Sequence, residues 1–236
     1  MSSAFLQAPL VLLPGHMCDA RLFGSLVEAL PGLPARVGDL TEDDTVEAMA
    51  RRVLATAPPR FALLGLSMGG IVAFEIVRQA PEQVTRLALL DTNPLPESED
   101  RSTARLELMQ LVATGGLREV VTERLKPAYL ARGNREDQAL LDLIVDMALG
   151  LGPAVFDRQA RALLERCDSR ATLRNIRVPT LVLCGREDAL CPVALHESMA
   201  AAIPGARLVV VDAAGHLPTL ERPDAVNSAV RRWLDF

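Results

Sequence analysis

The sequence is poor in lysine, in aromatic residues and in long apolar runs. Only 3% of its 236 residues are aromatic, and Lys126 is the one lysine among 25 basic residues. Scarce aromatics disfavour stacking platforms for bases or sugars. Dispersed basic residues and a net charge of −5 argue against nucleic acid or a membrane as partner. The longest apolar runs, such as 9–13 and 178–184, are far shorter than the ~20 residues of a spanning helix.

Cysteine is scarce too, and its spacing matches neither a zinc site nor a CxxC pair. Cys184 and Cys191 could meet in space, but we interpret them, like Cys18 and Cys167, as free thiols. Residues 1–9 lack the basic start and long apolar stretch of a signal peptide. We therefore expect a cytoplasmic protein without disulfides, metal or cofactor.

Apolar residues, in contrast, are abundant in the sequence. Half of the residues are hydrophobic and 23% are charged, which excludes a generally disordered chain. A chain of this length buries about 70–75% of its unfolded surface and needs no disulfide or metal to hold its core. We expect one large domain, or one domain with an insertion, that acts on a small molecule as a monomer or homodimer.

Short apolar runs alternate with helical patterns at both ends of the chain. Strands are predicted over 9–13, 35–38, 61–64, 85–90, 178–184 and 207–211. Helices are predicted over 19–30, 45–57, 67–79, 192–202 and 222–234. The alternation predicts an α/β fold, a mostly parallel and doubly wound sheet with helices on both faces.

The stretch from 97 to 170 breaks this alternation, because it contains no strand pattern. Helical stretches are predicted there over 100–113, 116–126, 136–150 and 154–167, separated by glycines and prolines. The sequence therefore predicts a core formed by 1–94 and 171–236 and a helical cap inserted at 95–170.

Residues 65–69, Gly-Leu-Ser-Met-Gly, follow an apolar strand and open a helix. This is the context of a nucleophile elbow, in which a serine occupies a sharp strand-to-helix turn. The turn leaves no room for side chains at Gly65 and Gly69 and exposes the serine hydroxyl at the positive end of the helix. Ser67 is therefore the candidate nucleophile.

A serine nucleophile needs a base, and the chain offers three histidines. His216 follows the strand 207–211, and active sites of parallel sheets lie at the carboxyl ends of strands. His196 falls in a predicted surface helix, where we expect it to be solvated. His16, after the first strand, is a weaker candidate as a side-chain base.

The base needs a carboxylate that orients it. Asp188 follows the strand 178–184, and the order Ser67, Asp188, His216 is that of the nucleophile-elbow enzymes. Two competitors remain. Glu187 is adjacent in sequence, and Asp91 ends the strand after the elbow helix.

Acyl transfer also requires donors for the developing oxyanion. The backbone N–H of Met68, at the start of the helix, is one candidate. The second is expected from the loop after the first strand, where the N–H of His16 is favoured and that of Met17 is the alternative. Gly15 allows this loop to turn tightly beside the serine.

Four pieces of the chain, at 12–16, 65–70, 183–188 and 215–217, resemble the α/β-hydrolase superfamily in the expected order. The His-Gly that commonly precedes the oxyanion residue is Pro14-Gly15 here. The resemblance implies a hydrolase core with a helical cap and a Ser67–His216–Asp188 triad that needs no cofactor.

The resemblance further implies a serine hydrolase acting on a carboxylic ester or lactone of a small to medium, mainly apolar substrate. Met17, Tyr129, Phe156 and Leu217 are candidate pocket walls. Four arginines are candidate carboxylate ligands or free surface charges: Arg118, Arg124, Arg132 and Arg135. The alternatives are carbon–carbon bond hydrolysis or elimination by the same triad, as in menaquinone-pathway or ring-cleavage-product enzymes, or a non-catalytic ligand-binding protein.

Overall fold

The computed structural model describes residues 8–125 and 129–235. Six strands form one sheet in which every pairing is parallel, in the spatial order β2-β1-β3-β4-β5-β6. They are β1 (Leu10–Leu13), β2 (Ala35–Val37), β3 (Phe61–Leu66), β4 (Val84–Leu90), β5 (Thr180–Gly185) and β6 (Arg207–Val211). The predicted α/β class is confirmed.

Helices occupy most of the remaining described chain. In order they are α1 (Gly24–Glu28), α2 (Val46–Thr56), α3 (Met68–Gln79), α4 (Glu99–Ala113), α5 (Leu117–Glu119), α6 (Gln138–Leu151), α7 (Pro153–Leu164), α8 (Arg170–Leu173), α9 (Val193–Ala202), α10 (Pro218–Glu221) and α11 (Pro223–Leu234). No single helix in the described ranges is long and apolar enough to cross a membrane, although α6 and α7 pass that test as a pair bent by 93°.

The sheet is covered on both faces, so its central strands are apolar along their whole length. Successive side chains point to opposite faces. Leu63 packs on the side of α2, α3 and α9, whereas Leu64 packs on the side of α1 and α11. Burying each such leucine contributes about 1.5–3 kcal/mol. These two layers hold the carboxyl ends of the strands in fixed positions.

Helix α2 shows how local sequence sets the element boundaries. Its N-cap Thr45 accepts a hydrogen bond from the Ala48 N–H at 3.2 Å. Val46, Met49 and Val53 follow at helical spacing and are buried against the core. Two prolines after residue 57 prevent the helix from continuing.

The helical insertion predicted after β4 is present, and within its described residues it contains no strand. It has an apolar cluster of its own, in which Val121, Val145 and Phe156 pack together with Met17 from the core. The helix predicted over 116–126 has only one α-helical turn before it widens into a π-helix at Val120–Leu125, and its last predicted residue lies outside the described part. The limits of the cap at 95 and 170 remain a prediction.

Candidate active site

Ser67 lies at the junction of β3 and α3 in a strained conformation, with φ 54° and ψ −116°. A Cβ at Gly65 would approach the Gly69 carbonyl oxygen to 2.3 Å, and one at Gly69 would approach the Leu13 carbonyl oxygen to 2.0 Å. Only glycine fits at either position. Such backbone strain costs about 1–3 kcal/mol, and the hydrogen bond from the Ser67 N–H to the Leu90 carbonyl at 2.9 Å helps to hold it.

The structure brings Ser67, His216 and Asp188 into one hydrogen-bonded chain. The Ser67 hydroxyl donates to His216 Nε2 at 2.8 Å, and His216 Nδ1–H donates to Asp188 Oδ2 at 2.8 Å. The backbone N–H of His216 donates to the Tyr129 carbonyl at 2.7 Å. Both side chains of the His216–Asp188 pair are buried, so solvent does not compete for this bond.

The surroundings of Asp188 favour the ionised form of its carboxyl group. Burial alone would raise the pKa of its carboxyl, but the charge and hydrogen bond of His216 and backbone hydrogen bonds outweigh burial and lower the pKa. The backbone donors are the N–H groups of Leu190, at 2.8 Å, and Cys191, at 3.0 Å. A carboxylate with several donors is the group that holds an imidazole in one tautomer.

The two competing acids occupy other positions. Asp91 is fully buried at the end of β4, where its Oδ1 accepts the Gly185 N–H at 2.8 Å. Burial and the neighbouring Asp188 raise the pKa of Asp91 well above its usual value. Glu187 accepts the backbone N–H of Arg132 at 3.0 Å. Of the three acids, Asp188 is the one hydrogen-bonded to His216.

The loop after β1 passes directly beside the serine, since a Cβ on Gly15 would lie 3.4 Å from Ser67 Cβ. The N–H of Met17 donates to Gln159 Oε1 at 2.9 Å and is therefore occupied. In the described chain the N–H groups of His16 and Met68 have no internal acceptor. Of the two loop amides considered, that of His16 is the one left available.

The side chains of the other two histidines are buried, and burial lowers the pKa of each ring. Burial, aided by the charge of Arg105, lowers the pKa of His16 to about 3, and the ring packs edge-on against Phe156. The expectation that His196 is solvated is wrong, because its ring is fully buried and accepts the Thr92 N–H at 3.1 Å. Thr92 in turn donates its hydroxyl to the Ser67 carbonyl at 2.7 Å. His196 thus supports the turn that carries the serine.

A cavity of about 220 Å³ opens at Ser67 and His216 and extends beneath the insertion. Of the four predicted pocket walls, Tyr129 and Leu217 line this cavity, and their contact with a substrate remains a prediction. Met17 and Phe156 are absent from its described lining and lie instead in the apolar cluster of the insertion. Their side chains pack between helices, so they act at most through the shape of the walls.

Arginines line this cavity, but only one of them was among the four candidates. Arg124 faces it, whereas the exposed Arg118, Arg132 and Arg135 are not part of the described lining. Sequence reasoning missed three further arginines of the lining, which are Arg101, Arg105 and Arg166. The signal that could have found the first two is their spacing, because Arg101 follows Glu97 by four residues and Arg105 follows it by eight. Residues four apart share one face of a helix, so Arg101 and Arg105 both lie on the side of α4 that is closest to Glu97.

Asp188, Cys191 and His216 have ligand atoms within 4.8 Å of one another, a spacing that a metal could use. Both ring nitrogens of His216 are already hydrogen-bonded within the site. Burial and the neighbouring Asp188 raise the pKa of Cys191 to about 12, which keeps its thiol protonated. The described residues therefore suit a proton-transfer chain better than a metal centre.

Comparison with known proteins finds a matching family and several similar proteins. The sequence model of the alpha/beta hydrolase family matches residues 10–229. A pimeloyl-[acyl-carrier protein] methyl ester esterase of Aromatoleum aromaticum is 30% identical over 91% of this chain and 93% of its own length. A protein of the same name from Nitrosomonas europaea is 31% identical over 77% of this chain and 74% of its own. The malate-bound structure of a thermophilic esterase from Thermogutta terrifontis superposes with a TM-score of 0.87 at 31% identity, covering 97% of this chain and 89% of the other.

Proposed function

The chain belongs to the alpha/beta hydrolase family and is a hydrolase of the esterase type, and we propose that it cleaves a carboxylic ester or lactone through an acyl-enzyme on Ser67. The observation that carries the proposal is the chain of two 2.8 Å hydrogen bonds from Ser67 through His216 to Asp188. A non-catalytic binding protein has no need of this arrangement, since binding alone requires neither the strained serine nor its base.

In the first half of the reaction, His216 Nε2 accepts the hydroxyl proton as Ser67 Oγ attacks the ester carbonyl. Asp188 keeps the Nδ1–H tautomer in place and stabilises the imidazolium that forms. The tetrahedral intermediate then collapses, the alcohol leaves with the proton from His216, and the acyl group remains on Ser67.

The backbone N–H groups of His16 and Met68 are the proposed donors to the oxyanion. What supports them is the close approach of Gly15 to Ser67 and the engagement of the competing Met17 N–H by Gln159. Gln159 is itself held, because its Nε2–H donates to the Leu40 carbonyl at 3.1 Å. Donors fixed in advance stabilise the transition state without reorganisation.

In the second half of the reaction, His216 removes a proton from water, which attacks the acyl-enzyme. The same donors hold the second oxyanion. Collapse of this intermediate releases the acid and returns the proton from His216 to Ser67. This cycle involves only groups of the chain and water.

The substrate we propose is an ester of a small alcohol with a short to medium acyl chain. The volume of the cavity, about 220 Å³, supports a compact substrate, and its wall includes apolar side chains such as Leu108, Leu125 and Leu217. The two pimeloyl-[acyl-carrier protein] methyl ester esterases support a methyl ester as the first to be tested.

The second candidate function is carbon–carbon bond hydrolysis or elimination by the same triad. The arginines in the cavity wall favour it, since such reactions use a substrate held by its carboxylate. A covalent acyl-enzyme that accumulates with a p-nitrophenyl ester, seen as a burst of p-nitrophenol, would favour the ester hydrolase.

The test of the proposed function is labelling by a fluorophosphonate, read by intact mass. We expect one adduct on the wild type, none on Ser67→Ala, and one on Ser198→Ala, which removes an exposed serine outside the site. Hydrolysis rates for p-nitrophenyl esters of rising chain length then show which length of acyl chain the pocket accepts. An unlabelled wild type would refute an activated Ser67 and with it the proposed mechanism.

A further inference from the structure

One wall of the catalytic cavity carries a concentration of positive charge that ester hydrolysis itself does not use. Arg101 and Arg105 reach it from α4, Arg124 from the π-helix, and Arg166 from the segment after α7. The same cavity contains Ser67 and His216. A substrate bound at the serine therefore lies in the field of these guanidinium groups.

Glu97 organises three of these arginines. Its buried carboxylate pairs with Arg166 at 2.6 Å, with Arg105 at 2.7 Å and with Arg101 at 3.2 Å. Because one carboxylate faces three guanidinium groups, the cluster keeps a net charge of about +2. Arg124 has no ion pair within the described residues, so the wall is not neutralised there.

The arginines of this cluster differ in how many donors remain free. Arg166 is 5% exposed and also donates to the carbonyls of Leu95, at 2.9 Å, and Leu163, at 3.1 Å, so it is anchored within the protein. Arg105 uses Nε and one terminal nitrogen, both on Glu97 Oε2. Its other terminal nitrogen has no acceptor in the described chain, and Arg101 keeps both of its terminal nitrogens free of protein hydrogen bonds.

Guanidinium donors that the protein leaves unused in a partly buried wall require water or an anion as acceptor, and an anion also offsets their charge. The planar fork of arginine matches a carboxylate, which it binds through two parallel hydrogen bonds. The side chain of Arg105 is only 14% exposed, so an anion there would be shielded from bulk water and held more strongly than on the surface.

We propose that Arg105, with Arg101 and Arg124, binds a carboxylate carried by the substrate, so that the preferred substrate is a half-ester of a dicarboxylic acid. This proposal rests on the proposed function, because it places the ester group at Ser67 and the free carboxylate at the arginine wall. Glu97 and Arg166 are positioning residues that hold the wall in place.

The test compares monomethyl esters of straight-chain dicarboxylic acids with methyl alkanoates of equal chain length. We expect kcat/KM of the wild type to be at least about tenfold higher for the half-ester, since a charge-assisted hydrogen bond contributes that much or more. Arg105→Gln should reduce this preference about tenfold, and Arg105→Lys should restore part of it. Arg118→Gln, on an exposed arginine outside the described cavity lining, should keep it.

Equal kcat/KM values for the two ester series, with labelling of Ser67 intact, would overturn the carboxylate site and leave the esterase function standing. The opposite case is a protein that binds the carboxylate but does not hydrolyse the ester. Calorimetric titration of Ser67→Ala with glutarate detects it, because this measures binding at the anion site without turnover. Binding that Arg105→Gln abolishes would support the site even if hydrolysis failed. Inorganic phosphate that competes as well as glutarate would overturn the preference for a carboxylate.

Because Arg105→Gln also removes an ion pair of the buried Glu97, Arg124→Gln serves as the second variant. Arg124 is exposed and outside that cluster, and its loss should raise KM for the half-ester by several-fold with an unchanged melting temperature. An unchanged KM in both folded variants would overturn the proposal.

Discussion

The two sides of the cavity at Ser67 are built by different physical means. On the sheet side, backbone geometry fixes the reactive groups: Ser67 occupies a turn whose neighbours have no room for a Cβ, and His216 and Asp188 follow adjacent parallel strands. On the insertion side, side chains on helices create the wall, and the ion pairs of Glu97 hold it together.

Because of this difference, we expect the sheet side to carry out the reaction and the insertion side to select the substrate. A serine, a base and an acid held by the backbone tolerate no displacement, because proton transfer requires contacts near 2.8 Å. The arginines of the helical insertion that line the cavity can be replaced by other residues without moving the strands. We therefore expect changes on the sheet side to abolish catalysis and changes on the insertion side to alter which ester is hydrolysed.

The largest effect is expected for Asp188→Asn on the sheet side. The amide cannot hold the Nδ1–H tautomer of His216, so kcat for a p-nitrophenyl ester should fall about 10³–10⁴-fold while the fold is kept. Glu187→Gln is the matched comparison, because Glu187 accepts the Arg132 N–H and has no hydrogen bond to His216 among the described residues. A loss in Glu187→Gln equal to that in Asp188→Asn would contradict the assignment of the acid.

Next in size is Gly69→Ala, which tests how rigid the sheet side is. The new methyl would lie 2.0 Å from the Leu13 carbonyl oxygen, so we expect a loss of about 3 kcal/mol or more in the free energy of unfolding. Gly133→Ala in the insertion meets no atom within 4 Å and should change it by no more than about 0.5 kcal/mol. Urea denaturation measures the free energy of unfolding of both variants. Similar losses in the two would contradict the expectation that the sheet side is the more rigid.

A smaller effect is expected for Glu97→Gln, which tests what holds the insertion side. Removing the buried carboxylate leaves the guanidinium groups of Arg105 and Arg166 unpaired, and the free energy of unfolding should fall by about 2–4 kcal/mol. Asp157→Asn removes a solvent-exposed ion pair with Arg161 in the same insertion and should have no measurable effect. Equal stability of the two variants would show that the Glu97 cluster is not structural.

The smallest effect concerns His196, which supports the serine turn from behind. Burial lowers its pKa below the usual 6.5, so the folded state takes up this proton at a lower pH than the unfolded chain does. The unfolded chain takes up a proton as pH falls below 6.5, and stability decreases by at most about 1.4 kcal/mol per pH unit for this residue. His196→Gln, which can still accept the Thr92 N–H, should show a shallower decrease between pH 6.5 and 5. Identical slopes for the two proteins would refute the lowered pKa of His196.

Much of the sheet side was accessible from sequence because its signals are local. The apolar run of β3 followed by Gly-Leu-Ser-Met-Gly specifies a strand, a tight turn and a helix within a short segment, and Asp188 and His216 each follow a recognisable strand. The α/β class and the helical insertion are confirmed. The catalytic roles of these residues remain predictions, supported by the hydrogen bonds between them.

The insertion side was less accessible, because helical periodicity shows which residues share a face but not what that face contacts. Met17 and Phe156 were predicted to line the pocket, yet they pack between helices of the insertion. His196 was expected in solvent, yet it is buried against the loop that follows β4. Each depends on how a helix is rotated and docked, which distant residues decide.

Local signals were enough to specify the parallel sheet, the turn that presents Ser67 and the order of its candidate partners, since apolar runs and glycines act through local backbone sterics. Long-range contacts, by contrast, set which acid bonds to His216, which amides remain available beside Ser67 and which arginines face the cavity. These choices depend on distances between residues up to 149 positions apart in the chain, and such distances are set by the packing of the whole molecule.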